Sequence, residues 1–143
     1  MNREQFADIQ LSGNTETSPK YIKSGLQKNA VDIYYSSLIE LMHSEKLFLD
    51  SKLSIKTVAE KLEISVNHLS QVINQHSGKN FFKFINEYRV EEAKKLLLDQ
   101  SNKKYTILAI AYDCGFNSKS SFNTIFKQYT GKTPSGFIEN SKI

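Results

Sequence analysis

Residues 62–84 read LEISVNHLSQVINQHSGKNFFKF, and residues 115–137 read GFNSKSSFNTIFKQYTGKTPSGF, a second writing of the same pattern. Ser54, Ile55, Val58, Ala59, Leu62 and Ile64 correspond to Thr106, Ile107, Ile110, Ala111, Cys114 and Phe116, an offset of 106 − 54 = 52. After one extra residue in the turn, Leu69, Ile73, Gly78, Lys79, Phe84 and Ile85 correspond to Phe122, Phe126, Gly131, Lys132, Phe137 and Ile138, an offset of 122 − 69 = 53. Apolar positions pair with apolar positions, and the glycine and lysine are kept. Such self-similarity restricts the chain to folds that contain one supersecondary unit twice. The apolar residues within each copy recur at spacings of three and four, which is the period of a helix and not of a strand. The expected fold class is therefore all-α.

Punctuation along the chain divides it further. Residues 1–28 are polar and contain SGNTETSP, a tail or linker composition. From Asn29 a helix can place Val31, Tyr34, Leu38, Leu41 and Met42 on one face. LFLDSKL then breaks the period. The remainder, 29–143, reads as one domain. Its first copy spans about 54–76: Ser54 opens a short helix, Ser65 caps a second, and Gly78 stops it. A longer helix covers about 80–98, with Phe81, Phe84, Ile85, Tyr88, Ala93, Leu96 and Leu97 in period. Arg89, Lys94 and Glu92 fall off that stripe, so they are expected on a solvated face. The second copy spans about 106–130, opened by Thr106, turned at Gly115, capped again at Ser118 and closed by Gly131. Thr133-Pro134 starts a last turn, with proline at the first helical position.

Short helix, tight turn, second helix is the pattern of a helix-turn-helix, whose second helix can lie in the DNA major groove. For either copy alone, a helical hairpin in a protein-interaction module fits equally well. The polar faces separate the two readings. Off the apolar stripe, the second helix of copy one carries Asn67, His68, Ser70, Gln71 and Asn74, and that of copy two carries Lys119, Ser120, Asn123, Thr124 and Lys127. Solvated helix faces usually draw on glutamate, yet neither face has a carboxylate. Amides can hydrogen-bond two edges of adenine, hydroxyls serve several bases and lysines neutralise phosphate. A net charge of +4 and a pI near 9.1 lean the same way.

The stretch IAYDCGFNSKSSFNTIFKQYTGKTPSGF resembles the signature of the AraC family of bacterial transcription regulators, and LSQVINQHSGKNFFKFINEYRVEEAKKLL resembles that family's first motif and connecting helix. The likeness covers roughly 30–138 and is sharpest at Gly115-Phe116, Phe126-Lys127, Gly131 and Thr133-Pro134. It implies two helix-turn-helix subdomains joined by a long helix, with two recognition helices in successive major grooves of double-stranded DNA. By position it makes Asn67, Ser70 and Gln71 base-reading residues of the first helix, and Ser120, Asn123 and Thr124 those of the second, with Lys119 close by. Asn74 and Lys127 extend the two faces. One departure stands out: where the family follows proline-serine with a spacer, an aromatic and an arginine, this chain has Gly136, Phe137 and Ile138. A helix over 80–98 would be about 28 Å long at 1.5 Å per residue, near the ~34 Å repeat of B-DNA.

Other chemistries find no support in the residues. His43, His68 and His76 lack the spacing of a zinc site, so no metal or other cofactor is expected. Cys114 occupies an apolar position and reads as a buried thiol. No carboxylate pair, phosphate loop or Ser-His-Asp arrangement is visible, so no enzyme is expected. No stretch approaches a membrane span, and a single cysteine suits a reducing cytoplasm. Expected partners are duplex DNA and RNA polymerase, with an upstream sensor domain if the chain is a piece of a longer regulator. Operator, target genes and direction of regulation stay open.

Overall fold

The computed structural model describes residues 25–99, 101 and 104–142, with side chains from residue 30 onward; most of the polar tail lies outside these. Among them are seven α-helices and no strand. They are α1 (Gly25–Glu45), α2 (Ile55–Leu62), α3 (Val66–Ser77), α4 (Phe81–Leu98), α5 (Ile107–Asp113), α6 (Lys119–Thr130) and α7 (Pro134–Asn140), with a 3-10 turn at Leu47–Leu49. The all-α expectation holds, and every expected helix is present. α1 begins four residues before Asn29.

The described residues form two compact units: 25–40 with 55–78, and 41–54 with those from 79 onward. In the first, Val31 and Leu38 of α1, Val58 and Ala59 of α2, and Leu69, Val72 and Ile73 of α3 are buried. Two ring contacts hold α1 to α3. The Tyr34 ring meets His68 edge-on at 5.0 Å, and Tyr35 stacks on His76 at 4.3 Å. His76 Nε2 also lies 2.6 Å from Asp32 Oδ1. In the second unit, Val90, Ala93 and Leu97 of α4 join Ile110, Ala111, Cys114 and Phe116, and Phe122, Ile125 and Phe126 of α6, in one apolar core. Phe116, Phe122, Phe126 and Phe137 form a chain of rings with successive centroids 4.9–5.5 Å apart.

The duplication extends to individual hydrogen bonds. Ser65 and Ser118 cap α3 and α6 by accepting from the N–H of His68 and Ser121. Gly78 and Gly131 end those helices in the left-handed conformation, donating to Asn74 O and Lys127 O. The Ser77 hydroxyl donates to Ile73 O, and the Thr130 hydroxyl to Phe126 O, the equivalent carbonyl. Asn80 and Thr133 cap the helices that follow. In the turn, Ile64 N–H donates to Ala59 O at 3.1 Å and Phe116 N–H to Ala111 O at 3.0 Å. Each cap satisfies an end-of-helix group that would otherwise lack a partner, so the two copies share one frame.

Two expectations on α4 are overturned. Arg89 does not face solvent: it is 9% exposed, and its Nε and Nη2 donate to Phe48 O at 2.6 Å and Asp50 O at 2.9 Å. The Asp50 carbonyl also accepts from Leu53 N–H at 3.1 Å, and a guanidinium reaches both carbonyls with donors from one rigid fork. Burial lowers the Arg89 pKa from its ordinary value, opposed by the nearby Asp50 charge. Glu92 is also largely covered, its side chain 17% exposed and 4.0 Å from Lys46 Nζ. α4 is thus a core element of the second unit, and Glu91 pairs with Lys94 at 3.1 Å on a solvated edge.

Candidate nucleic-acid interface

The frame just described sets which side chains α3 presents. Burying Leu69, Val72 and Ile73 turns the opposite face outward, and Asn67, Ser70, Gln71 and Asn74 stand there at i, i+3, i+4 and i+7. All four are exposed. α6 repeats the geometry. Phe122, Ile125 and Phe126 are buried, and Ser120, Asn123, Thr124 and Lys127 share the outer face with Lys119 at the first helical position. Lys119, Ser120, Thr124 and Lys127 are exposed, whereas Asn123 is half-buried at the edge. Residues with this spacing lie within about one third of a helix's circumference, so each set can address one surface at once.

His68 does not belong to the outer face of α3. It is half-buried against Tyr34, and burial pulls its pKa below 6.5. Packing against α1 accounts for it. Cys114 is buried and free, and burial, with the Glu92 and Asp113 charges, pushes its thiol up to about 12. Such a thiol is un-ionised at neutral pH and has the character of a core side chain.

The charge around the two helices is uneven. α3 carries no lysine, arginine or carboxylate, while α6 carries two lysines and no carboxylate. Among the described residues, no carboxylate pairs with Lys119, Lys127 or Lys132. Lys79, the counterpart of Lys132, instead has its Nζ 2.6 Å from Glu87 Oε1. The sequence shows the repeated Gly-Lys pair, but the partner of Lys79 is eight residues further on, across a helix start, and is not marked by any motif.

No group of His, Cys, Asp and Glu able to hold a metal ion occurs among the described residues. No described helix is long and apolar enough to cross a membrane.

The family model described as a helix-turn-helix domain matches residues 58–140, more than half of the chain. The probable transcription factor PqrA of Proteus vulgaris is 34% identical over 91 residues, covering 64% of this chain and 72% of that protein. This chain is an AraC-type helix-turn-helix protein. Among solved structures, the C-terminal domain of AraT, a response regulator from Geobacillus stearothermophilus, is similar at 30% identity and a TM-score of 0.63, with 77% of this chain and 84% of that one covered. The Msm operon regulatory protein of Streptococcus mutans is 28% identical over 104 residues, 73% of this chain. The AraC-type chain spans only 35% of that relative's length, and 12% and 48% of two further curated relatives.

Proposed function

We propose that the chain is a sequence-specific DNA-binding regulator that sets α3 and α6 in successive major grooves. The observation that carries this reading is the pair of capped helices whose outer faces hold amides, hydroxyls and lysines and no carboxylate. Asn67, Ser70, Gln71 and Asn74 are the base readers of α3, and Ser120, Asn123 and Thr124 those of α6. A bidentate amide–adenine pair contributes about 1–3 kcal/mol of discrimination. Lys119 and Lys127 serve the phosphates. In the cell, the cytoplasm is the compartment and RNA polymerase the second partner. An upstream sensing region is a third where the chain belongs to a longer regulator.

Fluorescence anisotropy of the full chain with a duplex selected from a random pool, beside a scrambled duplex, tests this at two salt concentrations. Specific proteins prefer their site by about 10³-fold or more. Equal, salt-insensitive affinity for both duplexes would replace the reading with a protein-interaction module.

A further inference from the structure

Because the two copies share their frame, each serves as a control for the other. Gly78-Lys79 and Gly131-Lys132 leave α3 and α6 from the same left-handed cap, with the same hydroxyl-to-carbonyl bond behind them. The lysines then meet different surroundings. Lys79 is paired with Glu87, and the residue 53 positions after Glu87 is Asn140, which has no charge to offer Lys132. Thr130 Oγ1 further holds the backbone of Lys132, accepting from its N–H at 3.1 Å. The Lys79–Glu87 pair is solvent-accessible, with side chains 34% and 46% exposed. Exposed pairs of this kind contribute little to stability, so holding the fold together is a poor explanation for it.

We infer that Glu87 masks Lys79 from DNA phosphate, while Lys132 is an unmasked phosphate-binding residue of the second helix-turn-helix. This rests on the DNA-binding reading above. A lysine that meets phosphate contributes through the counterions it releases, about 0.9 in the logarithmic salt slope per phosphate neutralised. A lysine already neutralised by a carboxylate releases none. The first helix-turn-helix therefore reads bases through a neutral face with its terminal cation cancelled. The second adds Lys119, Lys127 and Lys132 and carries the salt-dependent part of the affinity. Glu87 thus holds down the sequence-independent attraction that would otherwise favour any duplex.

The test measures affinity of the full chain for the selected and scrambled duplexes between 50 and 200 mM salt. Glu87→Gln should steepen the salt slope by about 1 on both duplexes, an extra loss of roughly three- to four-fold across that range. Lys79→Ala alone should leave the slope unchanged, and Lys132→Ala should flatten it by about 1. The double variant Glu87→Gln/Lys79→Ala should return to the parent slope. Thermal melts of each variant check that the fold is retained. A slope that stays steep in the double variant would mean that Glu87 acts only through the general field and would overturn the mask. So would a Lys79→Ala variant that flattens the slope by itself, or a Glu87→Gln variant with no effect. If the parent binds neither duplex, the DNA-binding reading fails and the mask fails with it.

Discussion

Gly115→Ala should be among the most damaging single-methyl additions to this chain. Gly115 has φ +97°, a conformation L residues rarely adopt, and holding a non-glycine residue in such strained backbone costs of order 1–3 kcal/mol. The second contribution is steric. A Cβ there would overlap the Phe48 carbonyl oxygen and stand 2.7 Å from Arg89 Nε, the two atoms joined by the buried hydrogen bond of 2.6 Å. Wedging that bond apart removes a charged donor's interaction of about 1.5–3 kcal/mol. The expected total is roughly 3–5 kcal/mol. Gly131 isolates the first contribution, because it has φ +80° and nothing within 4 Å of its added Cβ. Gly131→Ala should therefore cost about 1–2 kcal/mol. Urea unfolding followed by circular dichroism measures both variants, and a double-mutant cycle with Arg89→Met should show strong non-additivity for Gly115→Ala and none for Gly131→Ala. Equal losses for the two glycines, or additivity with Arg89→Met, would refute the assignment of Gly115 to close contact with the Arg89 site.

Gln71→Ala should cost about 1–3 kcal/mol on the selected duplex and relax preference at one base position, whereas Lys127→Ala should weaken all duplexes alike and reduce the salt slope by about 1; anisotropy with single-base variants of the site separates them. His68 has a folded pKa below 6.5, so the unfolded chain binds its proton more tightly. Its contribution to stability is complete above that value and is lost as pH falls through it, and urea midpoints at pH 8 and pH 5.5 should show less acid sensitivity in His68→Phe than in the parent. Cys114, buried with a thiol pushed up to about 12, should react with a disulfide reagent at pH 8 only as fast as the fold opens, and at once in denaturant.

What could be read without coordinates was local chemistry. Ser65, Ser118, Thr106 and Thr133 act on N–H groups three residues ahead, and Gly78 and Gly131 act on carbonyls four residues behind. These bonds are fixed by the order of residues alone, so caps, helices and outer faces could be placed from it. Arg89 could not, because its acceptors are main-chain carbonyls 41 and 39 residues away, which look the same in any sequence. Asn123 shares the outward spacing, and only the packing at the edge of α6 makes it half-buried. The turn of copy one hid another feature: Glu63 has φ 59° although it is not glycine, and its only signal was its alignment with Gly115. Only the second copy turns against the Phe48 carbonyl and Arg89, so glycine is required there and a glutamate suffices in the first.

That contrast bears on how the molecule would work. The duplicated copies agree in caps, turn bonds and core positions, all of which are needed to hold a helix pair. They disagree where the frame leaves choice: Val66 against Lys119, Gln71 against Thr124, Asn74 against Lys127, and Glu87 against Asn140. On the reading proposed above, these substitutions make the two heads chemically unlike. A palindrome offers the same groups to both heads, so it cannot satisfy a neutral amide face and a cationic hydroxyl face equally well. The preferred site of one chain should be asymmetric and bound in a single orientation. Reversing only the half-site read by α6 should cost more than reversing the spacer sequence between the halves. A symmetric footprint occupied by two chains, each head meeting its own copy across the two-fold axis, would refute binding by a single chain in one orientation.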